Sequence, residues 1–318
     1  MSYESNKLIS VVVPCYNEEK TIPFFYEEIT KIINDMKEVD FEIVFIDDGS
    51  SDTTLSIIKE LHENNEFCRY LSFSRNFGKE AALYAGLEAA KGDFVVIMDV
   101  DLQDPPSYIP NMYEILSDSE YDCVATMRAD RKGEKVIRSF FSELFYKIMN
   151  KMTQIEVKQG SRDFRMMTRQ MVNAIMSMSE RNRFSKGLFM WVGFKTKWLD
   201  YKNVERVDGE TKWSFLKLVK YGLEGIMAFS MVPLAVVSWI GLFFCFVAFL
   251  VVLLLVIKNL IWHDPVPGWA SMTCIIVFLG GIQMLCMGVI GRYIASMYTE
   301  IKQRPIYVLK ESSDDIIG

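Results

Sequence analysis

Asp99, Asp101 and Gln103 stand two residues apart, directly behind the apolar run Phe94-Val95-Val96-Ile97-Met98. Such a run, partly β-branched, predicts a buried strand, and Pro105-Pro106 stops it. Carboxylates at the carboxyl end of a strand occupy the place where open α/β sheets bind ligands. Their oxygens suit a hard divalent ion, Mg²⁺ or Mn²⁺, which often shares its shell with a substrate's phosphates. Asp and Pro are also turn residues, so an acidic surface turn is the alternative.

The elements that must position these residues recur along the chain. Leu8 to Val13 predicts a strand closed by Pro14, with Tyr16, Asn17, Glu18 and Glu19 in the turn behind it. Ile22, Phe25, Ile29, Ile32, Ile33 and Met36 then fall at helical three- and four-residue steps. Phe41 to Ile46 predicts a second strand, followed by Asp47-Asp48-Gly49-Ser50-Ser51-Asp52, where Asp52 can cap the next helix. Tyr70 to Phe73 predicts a third, leading through Arg75-Asn76-Phe77-Gly78-Lys79 into an Ala-rich helix. Strand, polar loop and helix in repetition predict an α/β fold, a mainly parallel sheet covered on both faces. Tyr16, Asp48, Arg75 and Asp99 then converge on one rim. The glycine-rich dinucleotide fingerprint and the P-loop are both missing from the sequence.

Cys123 to Thr126 predicts a fifth strand ending at Met127-Arg128, and Glu134 to Met152 a helix with Arg138 and Ser142 one turn apart on one face. Asp163 lies between Arg162 and Arg165, either in a structural ion pair or as a site carboxylate oriented by those arginines. A basic segment with Arg181, Arg183 and Lys186 follows.

The 318 residues are 50% hydrophobic with a net charge of −6, a balance that argues against a nucleic-acid partner. The apolar excess is concentrated. Val232 to Ile257 and Ala270 to Ile290 contain no charged residue, and each reaches the roughly 20 residues needed to cross a bilayer; buried core helices are the alternative. Lys212, Lys217 and Lys220 precede the first stretch, Arg292, Lys302 and Arg304 follow the second, and the connection between them is short. Both ends are therefore expected on the cytoplasmic side. The first twenty residues lack a long apolar run, so the N-terminal part is expected in the cytosol. Ser214 to Ile226 mixes apolar residues with Lys217 and Lys220, as in a helix lying on a membrane surface or in an ordinary surface helix. The six cysteines show no paired spacing and are expected to be reduced thiols. The acidic tail from Glu311 to Gly318 is expected to be disordered. The domain boundaries expected are 1–205, 206–230, 231–292 and 293–318.

Taken together, the motifs resemble glycosyltransferase family 2 of the GT-A fold, in particular the polyprenyl-phosphate glycosyltransferases, the group of dolichol-phosphate mannose synthases and bactoprenol glucosyltransferases. Val13-Pro14-Cys15-Tyr16-Asn17-Glu18-Glu19 is similar to the family's opening motif, and Asp47 to Asp52 and Arg75 to Lys79 to its next two. Asp99-Val100-Asp101-Leu102-Gln103-Asp104-Pro105-Pro106 is similar to its metal motif, with Val100 a departure, and Arg206-x-x-Gly209-x-Thr211-Lys212-Trp213 to its membrane-proximal motif. The paired apolar stretches match the bacterial members.

The resemblance implies a sugar transferred from a nucleotide donor to the phosphate of a polyprenyl phosphate, with inversion, the product serving cell-envelope glycan modification. It implies a divalent ion at Asp99, Asp101 and Gln103, and a donor pocket of Pro14, Tyr16, Asn17, Glu18, Asp47, Asp48, Arg75, Lys79, Val100, Arg206 and Lys212. Asp48 would accept a hydrogen bond from the base and Tyr16 would pack on it. Arg128, Arg138 and Ser142 would hold the acceptor phosphate, which is already an anion and needs no strong base, while Asp163 completes the catalytic set. UDP-glucose is the first choice of donor, ahead of UDP-GlcNAc and GDP-mannose, and a homotetramer in the cell membrane is expected. A processive polysaccharide synthase is the alternative enzyme, but its glutamine-arginine-tryptophan motif and further spans are not in this sequence.

Overall fold

In the computed structural model the described residues are 6–118, 120–128, 158, 160–178, 180–201, 232–262 and 268–314. The chain divides into two compact units, Met1–Gly222 with Arg304–Gly318, and Leu223–Gln303.

The first unit carries β1 (Lys7–Cys15), β2 (Val39–Asp47), β3 (Cys68–Phe73), β4 (Phe94–Ile97), β5 (Cys123–Arg128), β6 (Ser161–Thr168), β7 (Thr196–Tyr201) and β8 (Leu309–Ser312). They form one sheet in the order β7-β5-β6-β4-β1-β2-β3-β8. β1 pairs in parallel with both β2 and β4, β2 with β3, and β5 with β7, whereas β6 and β8 run antiparallel to their neighbours. The mainly parallel α/β architecture is the expected one. β1 is buried on both faces, with Ile9, Val11, Val12 and Val13 fully enclosed, as a central parallel strand must be.

Helices α1 (Ile22–Asp35), α2 (Thr54–Asn64), α3 (Lys79–Ala89), α4 (Ile109–Ser117), α5 (Arg169–Met176) and α6 (Ser185–Trp191) cover the two faces. Phe25 and Ile29 of α1 and Met112 of α4 pack with Val11, Val13 and Phe45 on one face. Ala82, Leu83 and Ala85 of α3 and Met171 and Ile175 of α5 pack with Val12, Val44 and Ile97 on the other. Each larger aliphatic or aromatic side chain buried this way stabilises the fold by roughly 1.5–3 kcal/mol.

Two expectations are corrected here. The acidic tail is not disordered from Glu311, because β8 adds to β3 with Leu71 opposite Ser312 and Ser72 opposite Glu311. Tail side chains find partners on the flanking elements: Lys59 of α2 pairs with Glu311 at 2.6 Å, and Lys91, just after α3, with Asp314 at 3.2 Å. Tyr307 donates to Glu88 at 2.6 Å and stacks on Phe73. The tail thus covers an edge strand that would otherwise expose unpaired backbone groups. Asp52, expected as the cap of α2, lies one residue earlier: its carboxylate accepts from the Thr54 amide at 3.1 Å while Thr53 holds the cap position.

The second unit contains α7 (Val232–Trp262) and α8 (Trp269–Ile301). Both are long and apolar enough to cross a membrane, and α8 continues past the expected boundary at 292. Trp239, Phe243 and Phe246 of α7 and Phe278 and Met284 of α8 are exposed, which the buried-core alternative does not account for.

Candidate active site

The loops after β1 and β2 are laced together by side chains that the sequence pattern placed on the rim. The Asn17 amide donates to Ser50 Oγ at 3.0 Å, and Asn17 Oδ1 accepts from the Ser51 amide at 2.8 Å. The Glu18 amide donates to Thr54 Oγ1, and Glu18 Oε2 accepts from Thr21 Oγ1. Asp47 is buried and accepts from the Ser50 amide and the Ser72 hydroxyl. Pro14 lies in register with Ile46 of β2, and Tyr16 presents an exposed ring at 40% accessibility. Asn17, with φ of 54°, takes the left-handed conformation that Asn tolerates in turns.

The loop after β3 is pinned to this rim by Asp48 and Gly49. Asp48 Oδ1 accepts from the Phe77 amide at 2.6 Å and Oδ2 from the Gly78 amide at 2.9 Å. Burial pushes the Asp48 carboxyl up from its ordinary value, and the two amides only partly offset this. Asp48 is thus engaged in shaping the loop that precedes α3. Gly49, at φ of +68°, lies so close that a Cβ there would meet the Arg75 carbonyl carbon at 2.4 Å. The exposed Arg75 guanidinium lies 4.0 Å from the centre of the Phe77 ring.

At the heart of the site is Lys79, the first residue of α3. Its Nζ lies 2.7 Å from Asp99 Oδ1 and 2.8 Å from Asp163 Oδ2. Antiparallel pairing explains why residues so distant in sequence meet. Ile97 of β4 lies opposite Arg165 of β6, and continuing that register two residues brings Asp99 opposite Asp163. Lys186, in the first turn of α6, approaches Asp163 Oδ1 at 4.0 Å and donates to the Ser161 carbonyl at 3.4 Å. Burial works against the charge on Asp163, but Lys79 and Lys186 outweigh it and hold its carboxyl well below the usual carboxylate range. Burial likewise opposes the Lys79 charge, yet Asp163 and Asp99 outweigh it and hold the ammonium well above the ordinary lysine value.

Arg165 reaches Asp163 through the main chain, and its charge adds to that of the two lysines in holding the carboxyl low. Arg165 is buried, lies 3.9 Å from the Phe189 ring centre, and donates to the main-chain carbonyls of Asp163 and Arg162. Arg183 donates to the Met178 carbonyl. Lys186 was one of three basic residues in its segment, and nothing in the sequence distinguished it as the one reaching Asp163.

Asp101 Oδ1 accepts from the Gln103 amide at 3.1 Å across Leu102, whose φ is 55°. The turn reading and the ligand reading of this segment are therefore compatible. Val100 is buried in the core beneath it, so an aliphatic residue suits the position. Among the described residues no three Asp, Glu, His or Cys side chains form a ready metal cage. The donor set still fits a hard divalent ion: Asp99 and Asp101 offer carboxylate oxygens and Gln103 an amide oxygen, Asp99 is part-exposed, and such an ion completes its shell with phosphates. Arg128 ends β5, while Arg138, Ser142, Arg206 and Lys212 lie outside the described residues.

The model of the family described as Glycosyl transferase family 2 matches residues 10–176, which span the rim from β1 through α5. The SfII prophage-derived bactoprenol glucosyl transferase of Shigella flexneri is 43% identical over 304 residues, 96% of this chain and 98% of that protein. The prophage bactoprenol glucosyl transferase homolog of Escherichia coli K12 is 43% identical over 302 residues, 95% of this chain and 98% of that protein. Glucosyl-3-phosphoglycerate synthase from Mycobacterium tuberculosis, solved with Mn²⁺, UDP-glucose and phosphoglyceric acid, is 21% identical. It covers 70% of this chain and 78% of its own at a TM-score of 0.49, too weak a likeness to bear on function. On the family match and the near full-length identity, the chain belongs to glycosyltransferase family 2.

Proposed function

We propose that this protein transfers glucose from UDP-glucose to the phosphate of a membrane-held polyprenyl phosphate, of which undecaprenyl phosphate is the form to test first. The observation that carries the proposal is the 43% identity, over nearly the whole chain, to proteins named bactoprenol glucosyl transferases. That identity runs through both units, including the two apolar helices, so the acceptor's membrane setting is proposed along with the chemistry. The catalytic unit and both termini lie on the cytoplasmic side, and the assembly is a homotetramer.

Residue roles follow from charge. Asp99 and Asp163 already share the cations Lys79 and Lys186, and a donor diphosphate brings further negative charge beside these carboxylates. An anionic donor therefore enters with a countercharge, for which Asp99, Asp101 and Gln103 supply the oxygen ligands. Those side chains would hold Mg²⁺ or Mn²⁺, which would supply positive charge to offset that on the departing nucleoside diphosphate. Tyr16 offers its exposed ring to the base, and Asp48 and Gly49 keep the Arg75–Lys79 loop closed against the pocket. Pro14, Asn17, Glu18 and Asp47 hold the facing loop, and Arg206 and Lys212 close on the donor phosphates. The acceptor phosphate attacks the anomeric carbon as an anion, so no side chain must take a proton from it. Asp163, held ionised between two lysines, orients cations instead of serving as a strong base. Arg128, Arg138 and Ser142 bind the acceptor phosphate. A single displacement of this kind inverts the anomeric configuration.

The test is to incubate the full-length protein with undecaprenyl phosphate and radiolabelled UDP-glucose, UDP-GlcNAc or GDP-mannose, then extract lipid. Label should enter the lipid from UDP-glucose; label from UDP-GlcNAc or GDP-mannose alone would reassign the sugar, and label from none would reject the activity.

A further inference from the structure

We infer that Lys79 is a resident counterion that makes divalent-metal binding at Asp99 conditional on the nucleotide. The inference rests on Asp99 being a metal ligand, as proposed above, and goes beyond it.

Both oxygens of Asp99 are within reach of the Lys79 ammonium, at 2.7 and 2.9 Å. A divalent ion coming alone to that carboxylate would meet a fixed positive charge in contact range, where repulsion between partly desolvated cations is large. The position of Lys79 is otherwise costly. It is the first residue of α3, and a cation at a helix N-terminus faces the positive end of the helix dipole. The two carboxylates account for a lysine being there. Its base cannot drift away, because the Gly78 and Phe77 amides just before it are clamped by Asp48.

The two carboxylates are not equivalent. Lys186 stands beside Asp163, so Asp163 keeps a cation when Lys79 turns. A donor diphosphate arriving with its ion offers the ammonium new oxygens, and Asp99 is released to the ion in the same event. Lys79 is thereby a positioning residue that discourages metal occupancy until the donor is present.

The experiment measures Mn²⁺ binding by the electron paramagnetic resonance signal of free Mn²⁺, using full-length protein in detergent with and without UDP. The parent should bind Mn²⁺ at least about tenfold more weakly without UDP, the scale expected from one unit charge a few ångström away. Lys79→Met and Lys79→Gln, with thermal unfolding confirming the fold, should gain about tenfold in UDP-free affinity and narrow that gap. Folded variants with unchanged UDP-free affinity would overturn the inference, and so would a parent that binds Mn²⁺ equally well with and without UDP. A parent that binds no Mn²⁺ even with UDP, or an Asp99→Ala protein that binds it as the parent does, would instead reject Asp99 as a metal ligand and the inference with it.

Discussion

Arg69 of β3 donates through Nε to Asp314 Oδ1 at 3.1 Å, and its other nitrogens pair with Asp314 Oδ2 and with Glu42. The C-terminal segment, returning after α8, is thereby fastened to the buried polar network under the sheet, where Glu42 also accepts from Ser10 Oγ at 2.6 Å. Arg69→Met takes the cation from the buried Glu42 carboxylate and leaves Asp314 with only the exposed Lys91, and should destabilise the catalytic unit by about 3–5 kcal/mol, the range for breaking a buried pair. Thermal unfolding in detergent reads this, with Asp314→Asn expected to cost less because Glu42 keeps its partner. The Arg69 hydrogen bond holds the Asp314 carboxyl below its ordinary value, against the opposing effect of burial. Its contribution is therefore present above the unfolded carboxyl value and is lost as pH falls through the lower folded one. The parent's advantage over Asp314→Asn should shrink in acid and persist at neutral pH.

This tail shows where sequence reasoning ran out. Acidic composition predicted disorder, but Asp314 finds Arg69 a full 245 residues away, and composition carries no information about so remote a partner. The same limit applies to Lys79, Asp99 and Asp163. Lys79 and Asp99 stand out by their motifs and Asp163 by its flanking arginines, whereas the meeting of the two carboxylates depends on the antiparallel β4–β6 register. β6 itself was hidden because Arg162, Asp163 and Arg165 interrupt its apolar residues. Strand-end carboxylates and the helical periodicity of α1 were legible because they are local.

Gly49→Ala should be severe for its size. The added Cβ would collide with Arg75 backbone, which cannot yield as a flexible side chain would, and the φ of +68° disfavours any L side chain. Such backbone strain costs about 1–3 kcal/mol. Calorimetric titration with UDP and divalent ion should show weakened nucleotide binding together with a lowered melting temperature, and unchanged values for both would show that the contact is unimportant.

Asp99→Ala and Asp101→Ala should lower turnover by orders of magnitude while the protein remains folded, and EDTA should do the same to the parent. Full activity after chelation and dialysis would exclude a divalent ion from the mechanism.

Arg138→Ala addresses the acceptor. Loss of a charge-assisted hydrogen bond to phosphate costs about 1.5–3 kcal/mol, roughly ten- to hundredfold in rate or affinity. The change should appear in KM for polyprenyl phosphate or in kcat, with UDP-glucose affinity and melting temperature little altered. If Arg138 only pairs with Glu134, four residues earlier in the sequence, the expected cost is about 0.3–0.5 kcal/mol and lipid kinetics stay as they were.

The most direct measurement supplies purified protein, Mg²⁺ or Mn²⁺, UDP-glucose and synthetic undecaprenyl phosphate, and follows the lipid by mass spectrometry while quantifying free UDP. The account predicts a lipid heavier by one hexose, formed in step with UDP release and abolished by Asp99→Ala. UDP release that is independent of the lipid, with no glucosylated lipid formed, would contradict it.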